Sequence, residues 1–447
     1  MTAGVSDEPD IRPARQRTSL ALAVALCLPG ALCRLGGYHG DAGLMALIFG
    51  LAIVGAAFLL SWAAEVAQLD ISAGLAIALL AFIAVLPEYA VDLVFAWKGG
   101  NAVEKYGAAC RAPGSTAESP CSLALANMTG ANRLLIGVGW SLVVFLAWYA
   151  VRRRNRSPMP GTVDVRPLTG VTLERSHSVE LAFLTIASAY SLTLPLKHSI
   201  TLFDAAVLVG LFVVYTVRIS RAPAEEPHLV GPALYVSTFP ERTRRVMTVA
   251  MFLFAAAVII LCAEVFAEAL VDTGAEFGVS EFLLVQWLAP LASEAPELLV
   301  AALYAWRLNT NAGLGTLVSS KVNQWTLLVG TLPIVFAIAS NSHHGLPIVA
   351  RQREELFLTA AQSVFAVAVL TNLDISVREA WMLFCLFWAQ FVLGAVVPTS
   401  WHGIELVVVG IVYLFLAGWY VLRQRQAVPR LMNDGLRTSY AELSRQG

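Results

Sequence analysis

Long apolar stretches alternate along this chain with short polar segments that carry most of its arginines. The apolar runs fall near 18–36, 43–68, 74–97, 121–150, 178–195, 200–218, 246–270, 280–306, 312–341, 354–371, 379–397 and 402–422. Each is about 17 to 30 residues long, enough to cross a hydrocarbon layer as a helix. They are continuous, whereas barrel strands would alternate apolar and polar residues over about ten positions. The pattern predicts an all-α polytopic membrane protein with about 12 transmembrane helices, whose partner is the lipid bilayer itself.

Superimposed on these runs is an internal repeat. Leu86-Pro87-Glu88 is followed by Ala96-Trp97, and Ala295-Pro296-Glu297 by Ala305-Trp306 at the same spacing. Ala64-Glu65-Val66 precedes the first motif, and Ala263-Glu264-Val265 the second. Further on, Phe183-Leu184-Thr185, just after Glu180, matches Phe357-Leu358-Thr359, just after Glu355. Ile200-Thr201 with Asp204-Ala205 matches Ile375-Ser376 with Glu379-Ala380. The repeated unit, 43–218 and 246–397, holds five spans. A unit with an odd number of spans enters the membrane from opposite sides in its two copies, so the halves have inverted topology and meet at the midplane. Outside them lie a tail (1–17), an extra first span (18–42), a linker (219–245), an extra last span (398–423) and a polar tail (424–447) expected to be flexible.

Composition fits: of 447 residues 57% are hydrophobic and 14% charged, and the mean hydropathy is +0.69. The net charge of -1 identifies no partner. Arginine position says more. Clusters at Arg12, Arg15 and Arg17, at Arg152–Arg156, around the linker and at Arg423–Arg430 all fall on one side of a twelve-span protein. The positive-inside rule makes that side cytoplasmic, with both termini, in what reads as a cell membrane. A signal peptide over the first run would break this agreement. Cys27, Cys33, Cys262 and Cys385 lie in spans and read as packing residues, while Cys110 and Cys121 border an outer loop and are either bonded or free. No histidine pairs with an acid at metal-ligand spacing within a span and no phosphate-binding loop is present. Those features argue against a membrane hydrolase or an ATP-driven pump; nothing suggests nucleic-acid binding or a cofactor.

Chemistry concentrates at the repeated acids. An ionised carboxylate inside a span costs at least a few kcal/mol and marks an ion or proton path. A proline beside it is expected to open the helix and free the carbonyls of Ile83 and Ala292, so that Glu88 and Glu297 offer half-sites for a cation at the midplane. The following spans add Asn127 and Asn132 in one half and Ser319-Ser320-Lys321-Val322-Asn323-Gln324 in the other. Such amides either ligate an ion or bond neighbouring helices. Asp92 lies one turn from Glu88, and Ser293 and Glu294 one turn from Glu297.

This arrangement resembles the sodium/calcium exchanger superfamily of cation antiporters, over about 43–397 and most strongly over 281–335. There Leu291-Ala292-Ser293-Glu294-Ala295-Pro296-Glu297 stands for the family's Gly-Thr-Ser-x-Pro-Glu. The resemblance implies alternating-access exchange of a cation, Ca2+ or Na+, against H+ or Na+. By it Glu88 and Glu297 are central ligands, and Asn132 and Gln324 match positions that line the ion sites. Read from the residues themselves, Asn127, Ser293, Ser320, Asn323, Glu294 and Asp92 are further candidate ligands, Glu294 standing where the family has a hydroxyl. Departures stand beside it. Ala84-Val85 replaces a hydroxyl pair, and Lys321 falls where sodium is bound elsewhere. Arg133 adds a second positive charge. Lost hydroxyls and gained titratable groups move the expectation toward proton-driven exchange. Glu65 and Glu264 either extend a proton path or cap helices. A cation channel, or a sensor locked by Lys321 and Arg133, remain alternatives. The transported ion and the oligomeric state are not legible.

Overall fold

The computed structural model describes residues 13–38, 40–70, 86–115, 118–156, 168–222, 229, 231–278, 280–398 and 401–443, with 86–88, 108, 281 and 395 described by backbone alone. Among them, eleven helices are long and apolar enough to span a membrane. The third expected span, 74–97, is described only from Leu86. It forms part of a helix that continues to Tyr106, well past its expected end at Trp97.

The first helix, α1 (Pro13–Leu35), packs on α2 (Ala42–Ala67). Then come α3 (Leu86–Tyr106), α4 (Pro120–Leu134), α5 (Ser141–Arg156), α6 (Ser178–Ser191) and α7 (Leu202–Ile219). A short α8 (Pro232–Ser237) occupies the linker and leads to the long α9 (Glu241–Phe277), which lies along α2. The second half continues with α10 (Glu281–Trp306), α11 (Thr310–Asn323), α12 (Val329–Ala339), α13 (Ala350–Val369) and α14 (Val377–Val396). Beyond it stand α15 (His402–Arg423), α16 (Ala427–Leu436) and α17 (Tyr440–Leu443).

Four very short strands relate the halves. β1 (Gly170–Thr172) leads into α6 and β2 (Ser199–Ile200) follows it; β3 (Leu346–Pro347) leads into α13 and β4 (Asp374–Ser376) follows it. β1 pairs antiparallel with β4, and β2 with β3. The start of α6 therefore lies beside the end of α13, and the reverse holds at the other ends. Two halves of opposite orientation require this relation. The matched sequences also cap matched helices alike: Thr201 with Asp204 opens α7, and Ser376 with Glu379 opens α14, each as a reciprocal capping box.

The central bundle is crossed between halves. The Pro-Glu helix α10 packs on α4, and α3 packs on α12. Contrary to the expected opening, α10 runs unbroken through Pro290 and Pro296. Membrane helices tolerate proline where neighbours approach the freed groups; the carbonyl freed by Pro290 is that of Gln286, against which Gly130 of α4 packs, and Ser293 Oγ separately bonds the carbonyls of Ala289 and Pro290, both at 3.2 Å. The irregular backbone lies on the next helix instead. A π-turn at Leu135–Trp140 joins α4 to α5, and another at Gln324–Leu328 joins α11 to α12, at corresponding places in the two halves.

Cys110 and Cys121 are disulfide-bonded and tie the end of α3 to the start of α4. At the opposite, arginine-rich face, Arg244 and Arg245 bond Asp70 beyond the end of α2. The C-terminal tail is not the flexible segment expected, since α16 docks on α6. Arg175 grips both carboxylate oxygens of Asp434 at 2.7 Å, Arg218 donates to the carbonyls of Gly435 and Thr438, and Gly435 abuts the backbone of Ser178. The Arg175 guanidinium holds the Asp434 carboxyl below its usual range. A depressed acid contributes stability above its unfolded value, about 4, and loses it only as pH falls through the lower folded value. Docking should therefore be as tight at pH 5 as at pH 7. Asp434→Asn should raise hydrogen exchange over 427–443 at both, and unchanged exchange would refute the clamp.

Candidate cation site

Glu297 sits on α10 one turn beyond Ser293 and borders a cavity of about 210 Å³ between α2, α10 and α11. From Glu297 the cavity runs past Thr316 toward Gln68 and Tyr304, at the ends of α2 and α10 that face the arginine-rich side. Glu65 lines the same cavity. Two acids from opposite halves of the sequence, Glu65 of α2 and Glu297 of α10, thus line one cavity. The side chain of Glu88 and the carbonyl of Ile83 lie outside the described residues, as do Ala84 and Val85.

Behind Glu297 the site is buried and bonded. Glu294 is fully buried and accepts a hydrogen bond from Gln324 Nε2. Asp92, also fully buried, accepts from Asn127 Nδ2 at 2.8 Å. Each half therefore pairs an acid one turn from its Pro-Glu position with an amide of its own next helix. Both amides spend a donor on a carboxylate, which leaves their oxygens as the atoms suited to an ion. Ser293, Ser320 and Asn323 are buried beside them.

Lys321 is completely buried, and its ammonium donates to the carbonyl of Asn132 at 2.7 Å and to Asn132 Oδ1 at 2.6 Å. It also lies 5.4 Å from the centre of the Trp325 ring. The Asn132 oxygens, expected to ligate an ion, are engaged by this ammonium. An amine from one half is thereby seated on the amide segment of the other.

Two expected members lie elsewhere. Arg133 turns away from the centre: its guanidinium lies 2.7 Å from Glu355 and 5.0 Å from the centre of the Trp287 ring. Neighbouring helical residues point about 100° apart, so Asn132 and Arg133 serve different sides of α4. Glu264 is half-exposed and pairs with Arg34 of α1 at 3.3 Å. It anchors the extra first helix and does not join Glu297. Sequence reasoning did not foresee the pairing of Arg133 with Glu355, although Glu355 stands out as an acid matched to Glu180 at the start of a repeated element.

A profile of the family described as sodium/calcium exchanger protein matches residues 41–220 and 247–419, nearly the two repeat units. A search of curated proteins finds no match. The crystal structure of the H+/Ca2+ exchanger CAX is similar over 97% of this chain and 99% of that one, with 38% identity and a TM-score of 0.82. The native structure of YfkE is similar over 90% of this chain and all of that one, at 14% identity and a TM-score of 0.55, which shows a shared fold alone. With both halves matched and a solved exchanger similar over nearly its full length, this chain belongs to the sodium/calcium exchanger family and is an integral membrane antiporter of inorganic cations.

Proposed function

We propose that this chain exchanges calcium for protons by alternating access, with the metal ion bound at Glu297 together with Glu88. The observation that carries the reading is the buried ammonium of Lys321, held by two oxygens of Asn132 at 2.6 and 2.7 Å. A monovalent cation tethered among oxygen ligands occupies the kind of place a bound sodium ion would need, and it cannot be exchanged. The likeness to an H+/Ca2+ exchanger points the same way.

The remaining groups are suited to competition between metal and proton. Glu294 and Glu297 lie one helical turn apart, and each carboxylate can hold either a proton or face a metal ion. Protonation of the acids empties the site, while calcium favours their ionised forms. Since the cavity at Glu297 runs to the arginine-rich end, the conformation is taken as the one open to that side. Its counterpart would close this cavity and open another from the opposite face. Glu88 enters the reading through its matching place in the repeat.

Reconstituted liposomes test the proposal. Calcium uptake should follow an imposed proton gradient, with stoichiometric pH change inside, and should be indifferent to sodium. Uptake driven by sodium with no proton movement would sink it, and flux with no counter-ion would favour a channel. No flux of any cation would favour a locked sensor. Lys321→Ser should acquire sodium-stimulated calcium uptake; a variant that stays folded, transports calcium and ignores sodium would show that the lysine does not stand in for that ion.

A further inference from the structure

A second cavity, of about 360 Å³, shares only α10 with the one at Glu297. It is bounded by the start of α10, the start of α13, the end of α14 and the start of α15. Those helix ends lie at the face opposite the arginine-rich one, where β2 pairs with β3. Its mouth is apolar. Leu283 of α10 and Phe391 of α14 line the cavity and are exposed. On a chain that spans a bilayer such side chains face lipid, so the cavity opens sideways between these two helices.

The wall farther in carries charges of both signs. Arg133 and Glu355 pair there with side chains 1% and 7% exposed, and Glu405 of α15 joins them. Arg351, at the start of α13, lies 4.3 Å from the centre of the Phe282 ring. The ion pair does not exhaust the polar atoms around it. Among the described residues, buried Gln390 Oε1, Glu405 Oε1 and Arg133 Nε have no protein hydrogen-bond partner. Gln390 itself is 4% exposed, on the cavity wall. Leaving such atoms unmet inside a membrane protein is costly, and two of the three are acceptors, which need an N–H or O–H from elsewhere. Depth orders the groups. At 1.5 Å per residue, Gln390 lies about 9 Å inside the end of α14 and Glu405 about 5 Å inside the start of α15, whereas Arg351 stands at its helix end. A positive group marks the rim, and acceptors lie one to two turns below it.

We propose that this cavity binds the headgroup of an ethanolamine phospholipid from the leaflet opposite the arginine-rich face, its phosphate at Arg351 and its ammonium between Gln390 Oε1 and the Glu405 carboxylate. A primary ammonium brings three N–H donors, which the two unmet acceptors require, and a guanidinium at the rim is the usual partner of a phosphate. The acyl chains leave by the apolar mouth, along exposed Leu288 and Leu291 of α10 and Val392 of α14. A choline headgroup carries the same charges but no N–H, and a glycerol headgroup leaves Glu405 without a cation. The bound lipid joins the extra last helix to the second repeat unit, whose α10, α13 and α14 form the other walls.

The full chain, delipidated in detergent, tests this with ethanolamine, choline and glycerol phospholipids of identical acyl chains. Native mass spectrometry should show the ethanolamine lipid retained about tenfold or more over either of the others, the scale of one charged hydrogen bond, and it alone should raise the melting temperature. Gln390→Leu removes an acceptor, and Leu284→Trp fills the cavity without touching a charge. Each should erase the preference while the lipid-free protein melts within a degree or so of wild type; if one variant does not fold, the other carries the test. Equal retention of ethanolamine and choline lipids by the wild type would overturn the proposal. So would a preference that survives in the folded variants, since it would lie elsewhere on the protein. Stabilisation by water-soluble phosphoethanolamine as strong as by the lipid would overturn the bilayer as the source and leave a site for a free amine.

Discussion

Glu297→Gln should abolish exchange while leaving the protein folded. Gln has the shape of Glu, so the packing of α10 against α2 and α11 is retained, and the side chain faces a cavity, where a neutral amide is easily accommodated. What is lost is a charge opposite a desolvated cation. Removing one partner from a buried charge pair costs about 3 to 5 kcal/mol, which corresponds to an affinity loss of about 10² to 4 × 10³. Proton coupling goes with it, because an amide does not titrate. Calcium and pH should be followed in the same liposomes, with a melting curve as the folding control. Glu264→Gln is the comparison. That acid is matched in sequence to Glu65, yet it is half-exposed and paired with Arg34, and its loss should change the exchange rate by less than about twofold, as for an exposed ion pair. Exchange by Glu297→Gln at more than a tenth of the wild-type rate would remove Glu297 from the site.

The contrast between Glu65 and Glu264 also marks how far the sequence could be read. The spans were legible because a bilayer leaves a chain few alternatives to long apolar helices, and the duplication because its copies still share Pro-Glu, capping residues and spacing. The candidate residues on α10 and α11 were picked out by those matches. Three features escaped. The π-turns are changes of main-chain register with no residue signature, so the irregular backbone was expected at Pro296 and lies one helix later. The direction of Arg133 depends on which side of α4 meets α13, which is a matter of tertiary packing and not of one helix's pattern. The tail reads as polar, but its docking rests on Arg175 and Arg218, more than two hundred residues away in sequence. In the last two cases the deciding contact is long-range, and a local pattern carries no record of it.

Gly130→Ala should destabilise the protein more than any other single methyl placed on the central helices, and Gly130→Leu should prevent folding. A Cβ at Gly130 would stand 1.7 Å from the carbonyl oxygen of Gln286 and 2.7 Å from its carbon. These are backbone atoms of α10, so no rotamer change relieves the overlap. The carbonyl is also the one that Pro290 cannot bond, four residues on. Glycine at the crossing lets the α4 backbone approach this freed oxygen directly, the close contact that small residues permit in membrane bundles. A methyl must push the two helices apart, at a cost above the ordinary range of about 1 to 3 kcal/mol for overpacking. The displacement also moves Asn127 and Asn132, so Lys321 and Asp92 lose their partners' positions and exchange should fall with stability. Gly210→Ala and Gly418→Ala, whose added carbons would meet nothing within 4 Å, should melt as wild type and serve as controls. Melting of Gly130→Ala within a degree or so of these controls would show that α4 and α10 do not cross as closely as Gly130 and Gln286 require.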